Sequence, residues 1–239
     1  MTVIGNPHVC QNGGNDCNDD NISINPGTEE LYNGVDDNCN GEIDEGYCTC
    51  SSCDDCEVKL NDQTCSVVML TASIMNYPGS ICINTPQAFN NKIFDCMGHE
   101  IDGTGSSYGI YLYGKSRNTI KNCIITDWYR GIYLRYSSNN NIANNIVNSN
   151  NYGVYLYSSN GVLEENEISD NSIGIYSSRS SSTINSNLVC GNSRYDFYAY
   201  RSNWQSSSGN NNNCSVPDGW NDNGKRGCTY RCSDMVHIF

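Results

Sequence analysis

The sequence predicts an all-β chain, a right-handed parallel β-helix of rungs about 22 residues long with a small calcium-binding, disulfide-rich module before it. Three observations carry this. Gly-Ile-Tyr-Leu at 109–112 returns at 131–134, drifts to Gly-Val-Tyr-Leu at 153–156 and Gly-Ile-Tyr-Ser at 174–177, and ends as Asp-Phe-Tyr-Ala at 196–199. A second apolar segment recurs at the same period, at Ile120 to Ile125, Ile142 to Val147, Leu163 to Ile168 and Ile184 to Val189. Between them lie Ser, Asn and Gly, the residues of tight turns.

Side chains alternate across a strand, so Ile110 and Leu112 are expected inside while Tyr111 and Tyr113 face out. Stacking the copies gives inward columns through Ile110, Ile132, Val154, Ile175 and Phe197, through Ile120, Ile142, Leu163 and Ile184, and through Ile125, Val147, Ile168 and Val189. Cys123, Asn145, Asn166 and Asn187 share one offset and read as an asparagine ladder that satisfies turn backbone. Gly109, Gly131, Gly153 and Gly174 are expected at a tight bend or where rungs pack closely. A leucine-rich repeat has a similar period, but its leucine framework is missing.

The chain has 239 residues, 26 acidic against 13 basic, and a formal charge of −13. That balance opposes a nucleic-acid or anionic-membrane partner and suits cations. Its 15 cysteines, scattered from Cys10 to Cys232 beside three histidines, suit an oxidised, extracellular or cell-surface protein better than a cytosolic zinc protein. No apolar run is long enough to span a bilayer, and no signal peptide pattern opens the chain, so for a secreted protein Met1 is not the expected native start. Sequons at Asn21 and Asn213 are compatible with export as glycosylation candidates.

The expected organisation is an acidic module over 1–47, a Cys-rich linker over 48–66, the β-helix over 67–200 and a disulfide-pinned cap over 201–239. In the acidic module, oxygen-bearing side chains alternate twice. Asp16, Asn18 and Asp20 make one set; Asp36, Asn38, Asn40, Glu42 through its carbonyl, and Asp44 make the other. Gly41 and Ile43 fall where an EF-hand loop has its turn glycine and its apolar residue, and calcium takes six to eight such oxygens. Cys48, Cys50, Cys53 and Cys56 read either as a zinc or iron–sulfur site or as a disulfide knot at the start of the coil; export favours the knot.

Residues 16–46 resemble the MopE-type metal-binding motif and are similar to the calcium loops of thrombospondin type 3 repeats. Tyr32 stands where that motif usually has a cysteine, and the resemblance suggests pairing Cys17 with Cys39. One namesake is associated with copper, but the segment has no histidine or methionine, and hard oxygen ligands favour calcium.

The run from Phe94 to Gly105, Phe-Asp-Cys-Met-Gly-His-Glu-Ile-Asp-Gly-Thr-Gly, continued by Tyr108 to Tyr113, resembles NosD-like surface β-helix proteins of archaeal type. So does the tail with Asn213-Cys214, Pro217 to Asp222 and Gly227 to Cys232. The resemblance covers about residues 56–232 and implies an exported coil of carbohydrate-binding or sugar-hydrolase type, with no single activity attached.

A β-helix needs capped ends. Val67 to Ile74 is expected to make the first strand pairing, Cys190 with Cys214 and Cys228 with Cys232 to pin the far cap, and Cys96 with Cys123 to join adjacent rungs. The coil is expected to hold five or six rungs, short for a sugar-cleaving cleft. Its acids Asp95, Asp102, Asp127, Glu164, Glu165 and Glu167 share no column, and His99 reads as a turn residue, so no catalytic residue is assigned and the chain is not expected to be an enzyme. A structural or adhesive role is expected, with calcium ions as partners. The outward tyrosines Tyr111, Tyr133, Tyr155, Tyr176 and Tyr198, with Tyr113, Tyr157 and Arg135, offer a surface for glycans or a subunit interface. Copies of the chain are further candidate partners, since apolar Met1 to Ile4 and Met235 to Phe239 could add as strands to build a filament or lattice.

Overall fold

The computed structural model describes residues 17–18, 20–201 and 204–234. The chain divides into two units, Met1–Tyr47 and Cys48–Phe239. Asp16, Cys10 and the terminal segments Met1 to Ile4 and Met235 to Phe239 lie outside the described residues.

The larger unit is the parallel β-helix that the repeats predict, with about seven turns against the five or six expected. One sheet holds eight strands, from Tyr47–Cys50 and Val67–Leu70 through Asn140–Ala143 to Ser208–Asn210. A second has five, from Glu100–Asp102 to Leu188–Cys190, and a third has six, from Ile81–Asn84 through Arg130–Arg135 to Tyr195–Ala199. From Val67–Leu70 onward the ladders are parallel and in register, so Ile142 lies between Ile120 and Leu163, and Tyr155 between Tyr133 and Tyr176. The inward columns are fully buried: Ile110, Leu112, Ile120, Ile125, Ile132 and Val147 are each 0% exposed. Each such aliphatic side chain contributes about 2 kcal/mol by leaving water.

The sheets meet at three corners per rung, and all three use one device. A residue at positive φ turns the chain, and the next side chain points inward and takes a backbone N–H of the preceding rung. Asn144, Glu165 and Ser186 (φ 55 to 56) precede Asn145, Asn166 and Asn187 at the first corner. Ser149 and Asp170 precede Asn150 and Asn171 at the second; Ser158 and Arg179 precede Ser159 and Ser180 at the third. Asn145 N–H donates to Asn166 Oδ1 and Asn166 N–H to Asn187 Oδ1, each at 3.0 Å, while the Asn166 amide also reaches the Ile142 carbonyl at 2.8 Å. The asparagine and serine ladders of the other corners repeat the arrangement and were not foreseen. Buried turn backbone is thereby paired.

Both amide ladders end on a carboxylate. Asn212, the last rung of the first, donates from its backbone and amide to Asp222 (3.0 and 2.7 Å), which also accepts from Trp220 Nε1 and from the Thr229 N–H and hydroxyl. Asn192, the last of the second, donates to Asp196 at 3.0 Å. Glycines at 109, 131, 153 and 174 sit under the next rung: a Cβ on Gly131 would lie 2.8 Å from Val147 Cγ1 and 2.9 Å from the Gly153 carbonyl. Close rung packing, and not a bend, requires them.

Several expectations are corrected. The 48–66 segment contains an α-helix, Cys53–Asn61, N-capped by Ser52, whose Oγ accepts from Asp55 N–H at 3.3 Å. Its buried Cys53, Cys56 and Leu60 cover the apolar end of the coil. The four crowded cysteines follow the favoured reading and are all in disulfides, Cys48–Cys65, Cys50–Cys56 and Cys53–Cys82, which leaves no thiolate for zinc or iron–sulfur ligation. Tyr47–Cys50 precedes Val67–Leu70 in the sheet, so the first pairing starts earlier than Val67.

At the far end the pairs are Cys190–Cys232 and Cys214–Cys228, not Cys190–Cys214 and Cys228–Cys232. Asn213 bridges Leu188 on one side and Tyr230 on the other, which sets Cys214 beside Cys228, while the 3₁₀ turn Cys232–Asp234 returns to Leu188–Cys190. Phe197, Trp204 and Trp220 close that end, with Phe197 and Trp220 stacked at 5.1 Å. Cys96–Cys123 joins adjacent rungs.

The smaller unit is built from turns. Among its described residues Ile24 is the one buried aliphatic side chain (7% exposed), and Cys17–Cys39 closes its chain.

Candidate functional site

Two places gather side chains of chemical interest, one in each unit. In the acidic module, alternate oxygen-bearing side chains accept backbone N–H groups and fix the loop. Asp36 accepts from Asn40 N–H (3.0 Å) and Gly41 N–H (2.9 Å) on its two oxygens. Asn38 Oδ1 accepts from Asn40 N–H, Asn40 Oδ1 from Glu42 N–H, and Asp44 from Asn33 and Gly34 N–H. Gly41 takes the turn at φ +97, which glycine alone adopts readily. Ile43 is 61% exposed and makes no apolar anchor of EF-hand type. Asn18 Oδ1 accepts from Asp20 N–H at 3.2 Å, and both residues are exposed.

Three carboxylates outside the alternating pattern complete the loop. Glu30 (8% exposed) accepts from Asn38 and Asp44 N–H, and Asp37 (4%) from Leu31 N–H and the Asn33 amide. Glu45 Oε1 accepts from the amides of Asn38 and Asn40, each at 2.5 Å, while its Oε2 is buried without a partner. A buried carboxylate oxygen with nothing against it is costly. Among the described residues, no three His, Cys, Asp or Glu side chains converge in a metal cage. The donors nevertheless fit a hard cation, since carboxylate, amide and carbonyl oxygens keep lone pairs beyond their backbone bonds.

The second place is the outer face of the six-stranded sheet. Tyr111 stacks on Tyr133 (5.0 Å) and Tyr155 on Tyr176 (4.2 Å, 13° between planes), with Tyr133 and Tyr155 edge to face at 4.9 Å and Tyr198 beside Tyr176 at 5.5 Å. This central column shields itself, so Tyr133 and Tyr176 are each only 9% exposed. Burial pushes the Tyr133 phenol up to about 12; it also raises that of Tyr176, helped by the Tyr155 hydrogen bond. Arg130 rivets the column, its guanidinium 4.3 Å from the Tyr155 ring centre and 4.9 Å from those of Tyr129 and Tyr133. Its place three residues before Tyr133 is the signal that could have found it.

Exposed rings occur at the edge where strands leave the sheet: Tyr113 is 48% exposed, Tyr136 46% and Tyr200 41%. Arg135 reaches over Tyr113, Tyr136 and Tyr157 at 5.3 to 5.8 Å. Among the candidate acids, Asp102 and Asp127 interact. Burial, then the charge and hydrogen bond of Asp102 and the charge of Glu100, raise the Asp127 carboxyl. The single Thr126 hydroxyl proton is shared between Glu100 Oε1 at 2.7 Å and Asp102 Oδ1 at 3.0 Å. Asp95 pairs with Lys121 at 3.1 Å, and Glu164 accepts from the Asn141 amide. Of the sequon residues, Asn21 is exposed, whereas Asn213 is half-buried with strand bridges on both sides.

A family model described as a periplasmic copper-binding protein (NosD) matches residues 63–221. A second, the MopE-type metal-binding motif, matches residues 16–45. No curated protein matches the chain. Among solved structures, the crystal structure of an alginate lyase from Paenibacillus sp. str. FPU-7 is similar at 11% identity and a TM-score of 0.46, covering 70% of this chain and 76% of that one.

Copper prefers imidazole, thiolate and thioether ligands. The 14 cysteines of the described residues are all in disulfides and His99 is their one histidine, so they offer copper neither a thiolate nor a second imidazole. The described residues therefore do not fit copper. The matched segment spans more than half of the chain, and the coil described above carries it: the chain belongs to the NosD family.

Proposed function

We propose that this chain is an exported, calcium-stabilised surface protein, structural or adhesive in role, whose coil binds and does not cleave. The coarser frame is an exported β-helix with a metal-binding motif. Seven disulfides suit an oxidising compartment, and no described helix is long and apolar enough to cross a membrane. The observation that supports calcium is the orphaned Glu45 Oε2 beside a run of fixed oxygen donors, Asp36, Asn38, Asn40, the Glu42 carbonyl and Asp44. Calcium would supply the missing partner and neutralise crowded carboxylates; Asp16, Asn18 and Asp20 are the second donor set. Calorimetric titration of the chelator-treated chain tests this. Saturable calcium binding that Asp36→Asn and Glu45→Gln each weaken at least tenfold is expected; a heat of dilution alone, or preference for copper over calcium, defeats it.

A second reading, glycan binding by the tyrosine face, is favoured by the run of aromatic rings with arginines on a flat parallel sheet. A blank glycan array together with fibres in electron micrographs would instead make that face a contact between copies of the chain. Lyase or hydrolase activity on an acidic polysaccharide would overturn the non-catalytic reading.

A further inference from the structure

The tyrosine face differs from the rest of the protein in charge. The five strands 108–113, 130–135, 152–157, 173–178 and 195–199 contain one acid, Asp196, which is 1% exposed and bound to the Ser215 and Val216 N–H groups. The same face carries Arg130 and Arg135, and the corner that follows it carries Arg179 and Arg201. In a chain of charge −13 this is a segregated cationic patch. Among the described residues, none of Arg135, Arg179 and Arg201 has a carboxylate within ion-pair distance.

The corner itself carries large side chains. Positive φ suits Asn, Asp and Gly, and the equivalent positions of the second corner hold Asp127, Ser149, Asp170 and Gly191. Here Gly114 and Ser158 share the column with Tyr136, Arg179 and Arg201, which adopt φ of 50 to 53; the first corner admits Met97 and Glu165 in the same way. Large side chains are kept where small ones would cost less, and they project beside a hollow of about 220 Å³ lined by Tyr157, Tyr176, Arg179, Tyr200 and Arg201.

We infer that this edge binds the uronate rings of an acidic polysaccharide, which deepens the glycan reading above and rests on it. The occupant follows from the chemistry. Tyr113, Tyr136 and Tyr200 are 41 to 48% exposed, with Arg135 against the first two rings and Arg201 against the third, and their exposed parts accept the C–H face of a sugar ring. Arginine in place of lysine offers a planar fork that holds a carboxylate by two parallel bonds. Ring and guanidinium lie side by side on rungs about 4.8 Å apart, Arg135 with Tyr136 on one and Arg201 with Tyr200 on another, which suits a ligand that presents a sugar ring together with a carboxylate. The self-stacked column of Tyr133, Tyr155 and Tyr176 is the rigid floor, not the contact surface.

The test is calorimetry on the full chain with short oligogalacturonates and, as an uncharged match, their methyl esters, at low and high salt. Saturable binding of the acid form is expected, at least tenfold weaker for the ester, and weakened by salt. Arg179→Gln with Arg201→Gln should reduce it at least tenfold with the melting temperature unchanged. Arg135→Gln, at a regular strand position, repeats the test should the corner variants unfold. Ester and acid binding equally, or variants binding as the parent does, overturns the inference and leaves the glycan reading standing. If neither sugar binds, both fail. Salt-sensitive self-association through this edge, without sugar binding, assigns it to a second copy and also overturns the inference.

Discussion

The coil and the acidic module solve one problem, fixing a chain rich in turns, with opposite resources. The coil stacks aliphatic columns that are 0% exposed and pairs its corners through amide ladders. Among its described residues the module has one buried aliphatic side chain, Ile24, and is held by carboxylates accepting backbone N–H groups. The coil therefore contains its own driving force. The module concentrates negative charge, which opposes compaction until a cation offsets it.

That contrast breaks most visibly if the proposed calcium is removed. Hydrogen exchange in excess chelator is expected to lose protection throughout the described part of residues 17–47, while the inner strands of the coil stay protected; equal loss in both units would erase the distinction. Next in size is Asn166→Leu. It removes the acceptor of the Asn145 N–H and the donor to Ile142, leaving buried groups unpaired, so chemical denaturation should show a cost of about 3 kcal/mol. No measurable cost would mean that the aliphatic columns alone hold the coil.

Asp222→Asn should cost about 2 kcal/mol, because an amide then faces the Asn212 and Thr229 donors. Burial is the largest single influence on Asp222 and raises its carboxyl, but hydrogen bonds from Asn212, Thr229 and Trp220 together outweigh it, and the net shift is downward. A carboxyl depressed by folding stabilises above its unfolded value, about pH 4, and that contribution fades as pH falls through the lower folded value. The acid limb of the stability profile should flatten in Asp222→Asn. Smallest is Lys121→Met, which deletes the partly exposed pair with Asp95; under about 1 kcal/mol is expected from thermal melts.

The coil was legible because its information is periodic: Ile110, Ile132, Val154 and Ile175 announce a column by recurrence alone. The corner arginines were not, since one αL position hosts Tyr136, Ser158, Arg179 and Arg201 in turn and leaves no repeating letter. Cys190 and Cys214 misled because distance along the chain says little once a rung brings Tyr230 beside Asn213. Glu45 escaped for a related reason: it falls outside the alternation that marks Asp36, Asn38 and Asn40, and only the fold of the loop brings it to their amides.

The carboxylates at the ends of the two amide ladders act as stop codons written in chemistry. An asparagine side chain both accepts and donates, so it can hand the pattern to another turn, whereas an ionised aspartate only accepts. With Asp222 and Asp196 in place no side-chain donor leads on to a further turn, and their own N–H groups are taken by the Gly227 and Val216 carbonyls. Growth of such a coil in evolution or by engineering must therefore occur by duplication upstream of these residues. An additional copy of residues 145–165, spliced ahead of Asn166, should be accommodated, whereas the same copy appended beyond Asp222 should dangle.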